Sequence, residues 1–260
     1  MNRLTVTSAL VALGLASSVG ALRAAPEADA VAGRALVKRY ADAIVGVELV
    51  VTVKFKMGDR EMPPREQRIE VNGTVISAGG LTVTSLAQVD PQVQFDSIRS
   101  GQGGGRGPEL VGTDFKEVKL RLADGSEVPA KFVLKDADLD LAFMAPDESA
   151  EGPKRSFPFV KLDEAVEGTV LGGYFYVARA PKILQRVPLI RATDISGIVE
   201  KPRRFYLLTE QSMGSPVFDP QGHVLGITVQ HLASGRQIAI VLPAGDVAEM
   251  AKQAGAAAAK

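Results

Sequence analysis

The chain contains no cysteine and only two histidines, His223 and His231. Without cysteine there is no disulfide, no thiolate nucleophile and no cysteine-ligated metal. The two histidines are eight residues apart, with no carboxylates at helical spacing beside them. That is a poor zinc ligand set, so neither a metal nor a cofactor is expected. An excess of one charge is missing too: 30 Lys+Arg balance 30 Asp+Glu. This balance gives no electrostatic footprint for a polyanion. Basic pairs such as Arg203-Arg204 stand apart from aromatics, so no nucleic-acid partner is expected. The Gly-rich stretch RSGQGGGRGPELVG, Arg99 to Gly112, lacks a following Gly-Lys-Ser/Thr and a following helix. It therefore reads as a flexible surface insertion and not as a phosphate loop. Finally, no helical pattern alternates with the strand patterns, which argues against a parallel α/β sheet.

At the start, Met1-Asn2-Arg3 is a short basic opening, followed by the uncharged, largely apolar run LTVTSALVALGLASSVGAL. Small residues around Ala21 to Ala25 then offer a cleavage site. Residues 1–24 read as an export signal, which places the protein outside the cytoplasm, secreted or periplasmic. The run is modest in hydrophobicity and rich in Ser, Thr and Gly, so a retained span is the weaker reading and no stable anchor is expected after cleavage. Cleavage removes Arg3 and Arg23 and no acid, leaving a formal charge of −2.

With 260 residues and 46% hydrophobic content, the chain can form one large domain or two small packed units. Val31, Ala35, Leu36 and Tyr40 recur at helical spacing, and IVGVELVVTVKF then reads as a strand. Short β-rich runs follow, from RIEVNGTVIS to QIAIVLP, with hairpin-like turns such as ADGSEV and DPQGHV. Many short strands at this spacing favour a barrel or sandwich. The polar, Pro/Gly-bearing stretch near Asp147 to Phe159 divides two β units of similar size. The expected organisation is a helix and first barrel over 25–146, a linker over 147–158, a second barrel over 159–244, and a C-terminal helix and tail over 245–260.

The order of these pieces resembles the trypsin-like serine proteases, in particular the protease domain of the bacterial Deg (HtrA) branch. ADAIVGVELVV matches the family's opening helix and strand, and NGTVISAGGLTVTSLAQV matches the strand pair that ends before the catalytic histidine. VKLRLADGSEVPAKFV matches the hairpin V-x-L-x-D-G-x-x-x-x-A-x-V, and DADLDLAFM matches D-x-x-x-D-L-A-x-L. The Gly-rich strand VEGTVLGGYFYVA follows, QSMGSPVFDPQGHVLGI aligns with G-N-S-G-G-P-V and its following G-x-V-x-G-I, and IAIVLP resembles I-G-F-A-I-P. The resemblance runs from about Ala41 to Met250. It implies an all-β fold of two six-stranded antiparallel barrels with short terminal helices, and the activity of a serine endopeptidase.

That activity needs a serine to attack, a histidine to move its proton, an aspartate to orient the histidine, and backbone N–H groups for the oxyanion. The resemblance puts Asp140 at the aspartate position. It puts Ala87 at the histidine position, three after Thr84, and Met213 at the serine position, three before Pro216. The oxyanion turn has Gln211 in place of glycine two before that position, with Gly214 after it. Alanine cannot carry a proton and a thioether cannot attack a carbonyl, so the expectation is an inactive homologue. Ser212 and Ser215 are alternative nucleophiles within a one- or two-residue shift. Both histidines lie after the motif: His223 in a predicted solvated turn, His231 in a strand facing either surface or groove. A Ser–Lys pair with Lys161 or Lys182 is a further chemical option. Without its histidine, a buried Asp140 needs other donors, and Thr84, Ser85 or a serine of the second barrel could serve. We therefore expect Asp140 to be structural, at the interface of the barrels. The retained fold implies a groove able to take an extended peptide or protein segment.

Overall fold

The computed structural model describes residues 21–101, 108–147, 155–233 and 236–258. Nearly all of the predicted leader, the centre of the Gly-rich insertion and much of the predicted linker lie outside these residues. Seven strands form the first unit: β1 (Ile44–Met57), β2 (Arg60–Glu61), β3 (Arg65–Val75), β4 (Thr82–Ser85), β5 (Glu109–Arg121), β6 (Glu127–Asp136) and β7 (Leu141–Pro146). Their order is β2-β1-β3-β4-β7-β6-β5, and β5 returns to pair with β1, so six of them close a barrel. The second barrel comprises β8 (Gly173–Arg179), β9 (Pro188–Val199), β10 (Phe205–Leu208), β11 (Pro216–Phe218), β12 (Val224–Ala233) and β13 (Arg236–Pro243). It closes in the order β10-β13-β12-β11-β8-β9. Every named pairing is antiparallel.

The period-two patterning of the strands explains the three-part core. In β1, Val45, Val47 and Leu49 point into the first barrel with Leu120, Met144 and Phe157, while Gly46 and Glu48 alternate outward. Tyr174, Tyr176, Ile195, Tyr206, Leu225 and Val241 fill the second. A third cluster joins the barrels. Ile44, Val83, Leu141 and Phe143 from one meet Phe175, Val177, Ile227 and Leu242 from the other. Burying each of these large side chains contributes about 1.5–3 kcal/mol.

Among the described residues four α-helices accompany the barrels: α1 (Ala21–Tyr40), α2 (Leu86–Val89), α3 (Pro91–Gly101) and α4 (Ala244–Ala258). Leu36 and Tyr40 of α1 and Val247 and Ala254 of α4 join the cluster between the barrels. Both terminal helices are longer than the sequence pattern suggested, because this packing supplies stability that propensity does not. The pattern gave no sign of α3. It is held by a tertiary contact, Phe95 meeting Phe55 edge-on at 5.9 Å, and by a local one, the Asp90 carboxylate before it accepting from Gln92 N–H at 3.0 Å. Arg99–Gly101 end α3 and Glu109–Gly112 begin β5, so both flanks of the expected insertion belong to regular elements. The first strand of the second barrel starts at Gly173. Before it, Phe157 and Val160 donate backbone N–H bonds to Ala78 and Val75 of the first unit.

Candidate functional site

Asp140 closes the turn before β7 with φ of 56°, a left-handed conformation that among non-glycine residues suits Asp and Asn best. Its side chain is buried where the barrels meet. The carboxylate accepts three bonds: from the Ser85 hydroxyl at the end of β4, from Ala87 N–H at 2.7 Å, and from Gln230 N–H at 2.7 Å. Its own carbonyl accepts Leu86 N–H at 2.9 Å. One residue thus serves two donors at the start of α2 and a backbone donor on β12, ninety positions later in the chain. Burial pushes its carboxyl above the ordinary aspartate value, against the pull of Ser85 and the two backbone donors.

Ala87, at the expected histidine position, is 6% exposed and belongs to α2. The turn expected to hold the nucleophile lies on the other barrel and is fastened to the first. The Thr74 hydroxyl donates to Gly214 O at 2.7 Å, and Asn72 Nδ2 donates to Ser212 Oγ at 3.3 Å. Gly214 has φ of 72°, and a Cβ there would lie 2.1 Å from Asn72 O and 2.5 Å from Thr84 Oγ1. Only glycine permits so close an approach of the two backbones. The N–H of Gly214 donates to Thr228 O at 2.8 Å and that of Ser215 to Ser212 O at 3.2 Å, so both are spent inside the protein.

The other turn residues divide unevenly. Met213 and Ser212 are half-buried. Ser215 is 0% exposed, and its hydroxyl has no hydrogen-bond partner; the same is true of Thr228 beside it. Gln211 reaches across to β13, where Nε2 donates to Ala239 O at 3.3 Å, and its Oε1 is buried without a partner. Neither histidine joins this region by a described hydrogen bond. His223 Nδ1 pairs with Asp219 Oδ2 at 2.8 Å in the β11–β12 turn, half exposed. His231 is half-buried with its ring 5.1 Å from Phe205. Lys161 pairs with Glu164, and Lys182 sits in the exposed β8–β9 loop. Among the described residues, no cluster of three or more His, Asp or Glu could hold a metal.

Sequence reasoning missed the fastening itself. Arg179 ends β8 and is 8% exposed at its side chain. It donates to Ile44 O at 2.6 Å, Ala41 O at 2.7 Å and Arg186 O at 3.2 Å, and its backbone N–H donates to Asn72 Oδ1. An arginine closing the apolar strand GYFYVAR, and an asparagine inside RIEVNGTV, were the available signals.

A family model for the trypsin-like peptidase domain matches residues 71–227, more than half of the chain. The chain belongs to the trypsin-like peptidase domain family. In structure it is similar to the protease domain of MamO from Magnetospirillum magneticum in its apo crystal form. The match has a TM-score of 0.50 and 16% identity, covering 82% of this chain and 97% of that one. At that identity the likeness speaks for the fold. No curated protein sequence matches the chain. In this chain the Asp140 carboxylate accepts from a serine hydroxyl and two backbone amides.

Proposed function

We propose that the protein is an exported trypsin-like protease homologue without catalysis, acting by holding a peptide or protein segment between its barrels or as a scaffold. The observation that carries this reading is the set of partners on the Asp140 carboxylate: Ser85, Ala87 N–H and Gln230 N–H bond to it, and among the described residues no imidazole does. A serine attacking a carbonyl needs a base within hydrogen-bond reach. Ser212 is held by an amide nitrogen, and Ser215 is fully buried with no base bonded to it. Gln211, bridged to β13, and the turn amides spent on Thr228 O and Ser212 O point the same way. The export part of the proposal rests on the N-terminal sequence alone.

The test is incubation of the purified protein with an unstructured protein substrate and, separately, with a serine-reactive phosphonate probe. No cleavage and no labelling are expected. Labelling at Ser212 or Ser215 that disappears on mutation to alanine would overturn the proposal in favour of an active endopeptidase with a displaced nucleophile. Retention of peptides from a diverse library is the positive readout. Complete failure to retain any would leave a scaffold without peptide binding.

A further inference from the structure

Strand β3 has two edges. One pairs with β1 without interruption from Val53↔Arg65 to Ile44↔Thr74. The other pairs with β4 only through Thr74 and Val75. Along Arg65–Glu70 no described strand lies against this second edge, and Arg65, Glu66, Gln67, Arg68 and Glu70 are exposed. The backbone parity follows from two bonds made toward β4: Ile76 N–H to Leu81 O, and Thr84 Oγ1 to Asn72 O. Antiparallel strands turn alternate residues to alternate edges, and the β1–β3 register has no bulge here. Glu66, Arg68 and Glu70 therefore present their N–H and C=O groups to the open edge.

An open edge is a template for another strand. Pro63 and Pro64 remove the donors just upstream, which blunts the outer end and leaves 65–70 available. The side chains there alternate in sign along one face: Glu66, Arg68, Glu70. Arg186 engages Glu70 at 2.8 Å. Neither Glu66 nor Arg68 has a hydrogen-bond or ion-pair partner among the described residues, so this pair of opposite charges is unused within the chain.

We infer that a second copy of this chain occupies the edge, in a two-fold antiparallel pairing centred on Gln67. In that register Glu66 lies opposite Arg68 of the second copy, and Arg68 opposite its Glu66. Arg65 lies across from Ile69, where its aliphatic stem covers the half-buried isoleucine. A two-fold interface must be self-complementary, and a Glu-x-Arg pattern about its axis meets that condition. A strand without that alternation would place like charges or unpaired ones against this edge. Five paired residues, 65–69, span about 17 Å, and a contact of that length buries well under the roughly 1,200 Å² of a stable interface. The dimer is accordingly weak and dissolves as salt screens its charge pairs. The inference is independent of whether the groove between the barrels binds peptide.

Sedimentation of the full chain from about 1 μM to about 1 mM tests it. A concentration-dependent monomer–dimer equilibrium that weakens with salt is expected. Arg68→Glu and Glu66→Arg should each sediment as monomers. An equimolar mixture of the two should form a heterodimer, because every charge across the axis is then opposite. The double variant should dimerise with itself. Arg68→Gln, which removes only the charge, should fall between wild type and Arg68→Glu. Unchanged melting temperatures in all variants would confirm that folding is intact. A wild type that stays monomeric throughout, or a dimer indifferent to both single reversals, would overturn the inference.

Discussion

The Asp140 corner and the 211–215 turn each meet the opposite barrel, and they treat their polar atoms in opposite ways. At the corner, both carboxylate oxygens of Asp140 accept protein donors, and the start of α2 is capped by the same residue. At the turn, Ser215 Oγ, Thr228 Oγ1 and Gln211 Oε1 are buried without partners. The backbone of the turn is nonetheless held firmly, by Thr74, Thr228 and the close approach of Asn72 to Gly214. The corner depends on side-chain chemistry, whereas the turn depends on backbone shape. A buried charge must be satisfied by named partners, while a backbone turn fixed by glycine tolerates varied side chains.

Substitutions can break this contrast, beginning with the turn's backbone. Gly214→Ala forces a Cβ against Asn72 O and a left-handed φ on alanine. We expect a loss of about 4 kcal/mol, read from denaturant midpoints, or failure to fold. Asp140→Ala strands the Ser85 hydroxyl and two backbone N–H groups in the interior. Its expected cost is about 3 kcal/mol, and full wild-type stability in that variant would refute a structural role.

Asp140→Asn keeps the left-handed backbone and one acceptor, with an expected loss of about 1–2 kcal/mol at neutral pH. It also removes a titration. Because the folded carboxyl sits above the unfolded value, its contribution is present at pH below the ordinary aspartate value and is lost as pH rises through the folded one. The stability gap between wild type and Asp140→Asn should therefore narrow as pH rises over that window, measured by urea titration at each pH. A gap that widens would reverse the sign of the shift. At the small end, Ser215→Ala and Thr228→Val each remove a buried hydroxyl that has no partner. Each should change stability by no more than about 0.5 kcal/mol, with a slight gain as the favoured direction. A cost above about 1.5 kcal/mol would show that these hydroxyls are satisfied after all.

Much of the fold was legible. Alternating apolar residues in VELVV and the spacing of hairpins pointed to a barrel or sandwich, and the resemblance of their order to the trypsin-like proteases gave two barrels. Ser85 was among the donors expected for Asp140, but Gln230 was not, because a backbone N–H carries no residue-type signal. Helix α3 was missed because its pattern is weak and Phe95 finds its partner, Phe55, forty positions earlier in the chain. His223 does lie in an exposed turn, yet it is tied to Asp219. His231 is half-buried against Phe205, since β12 turns it toward a ring that only the closed barrel brings near.

The sequence by itself determined which chemistry could be present. Residue identity decides whether a position can attack, carry a proton or accept one: a methionine, an alanine and an aspartate differ in that wherever the fold puts them. Tertiary structure alone decided what each polar group does instead. Whether Asp140 is satisfied, Ser215 stranded or the β3 edge left open depends on which atoms lie within about 3 Å. Asp140 takes such neighbours from its own barrel and, ninety positions on, from β12 of the other, and packing, not order along the chain, brings them together.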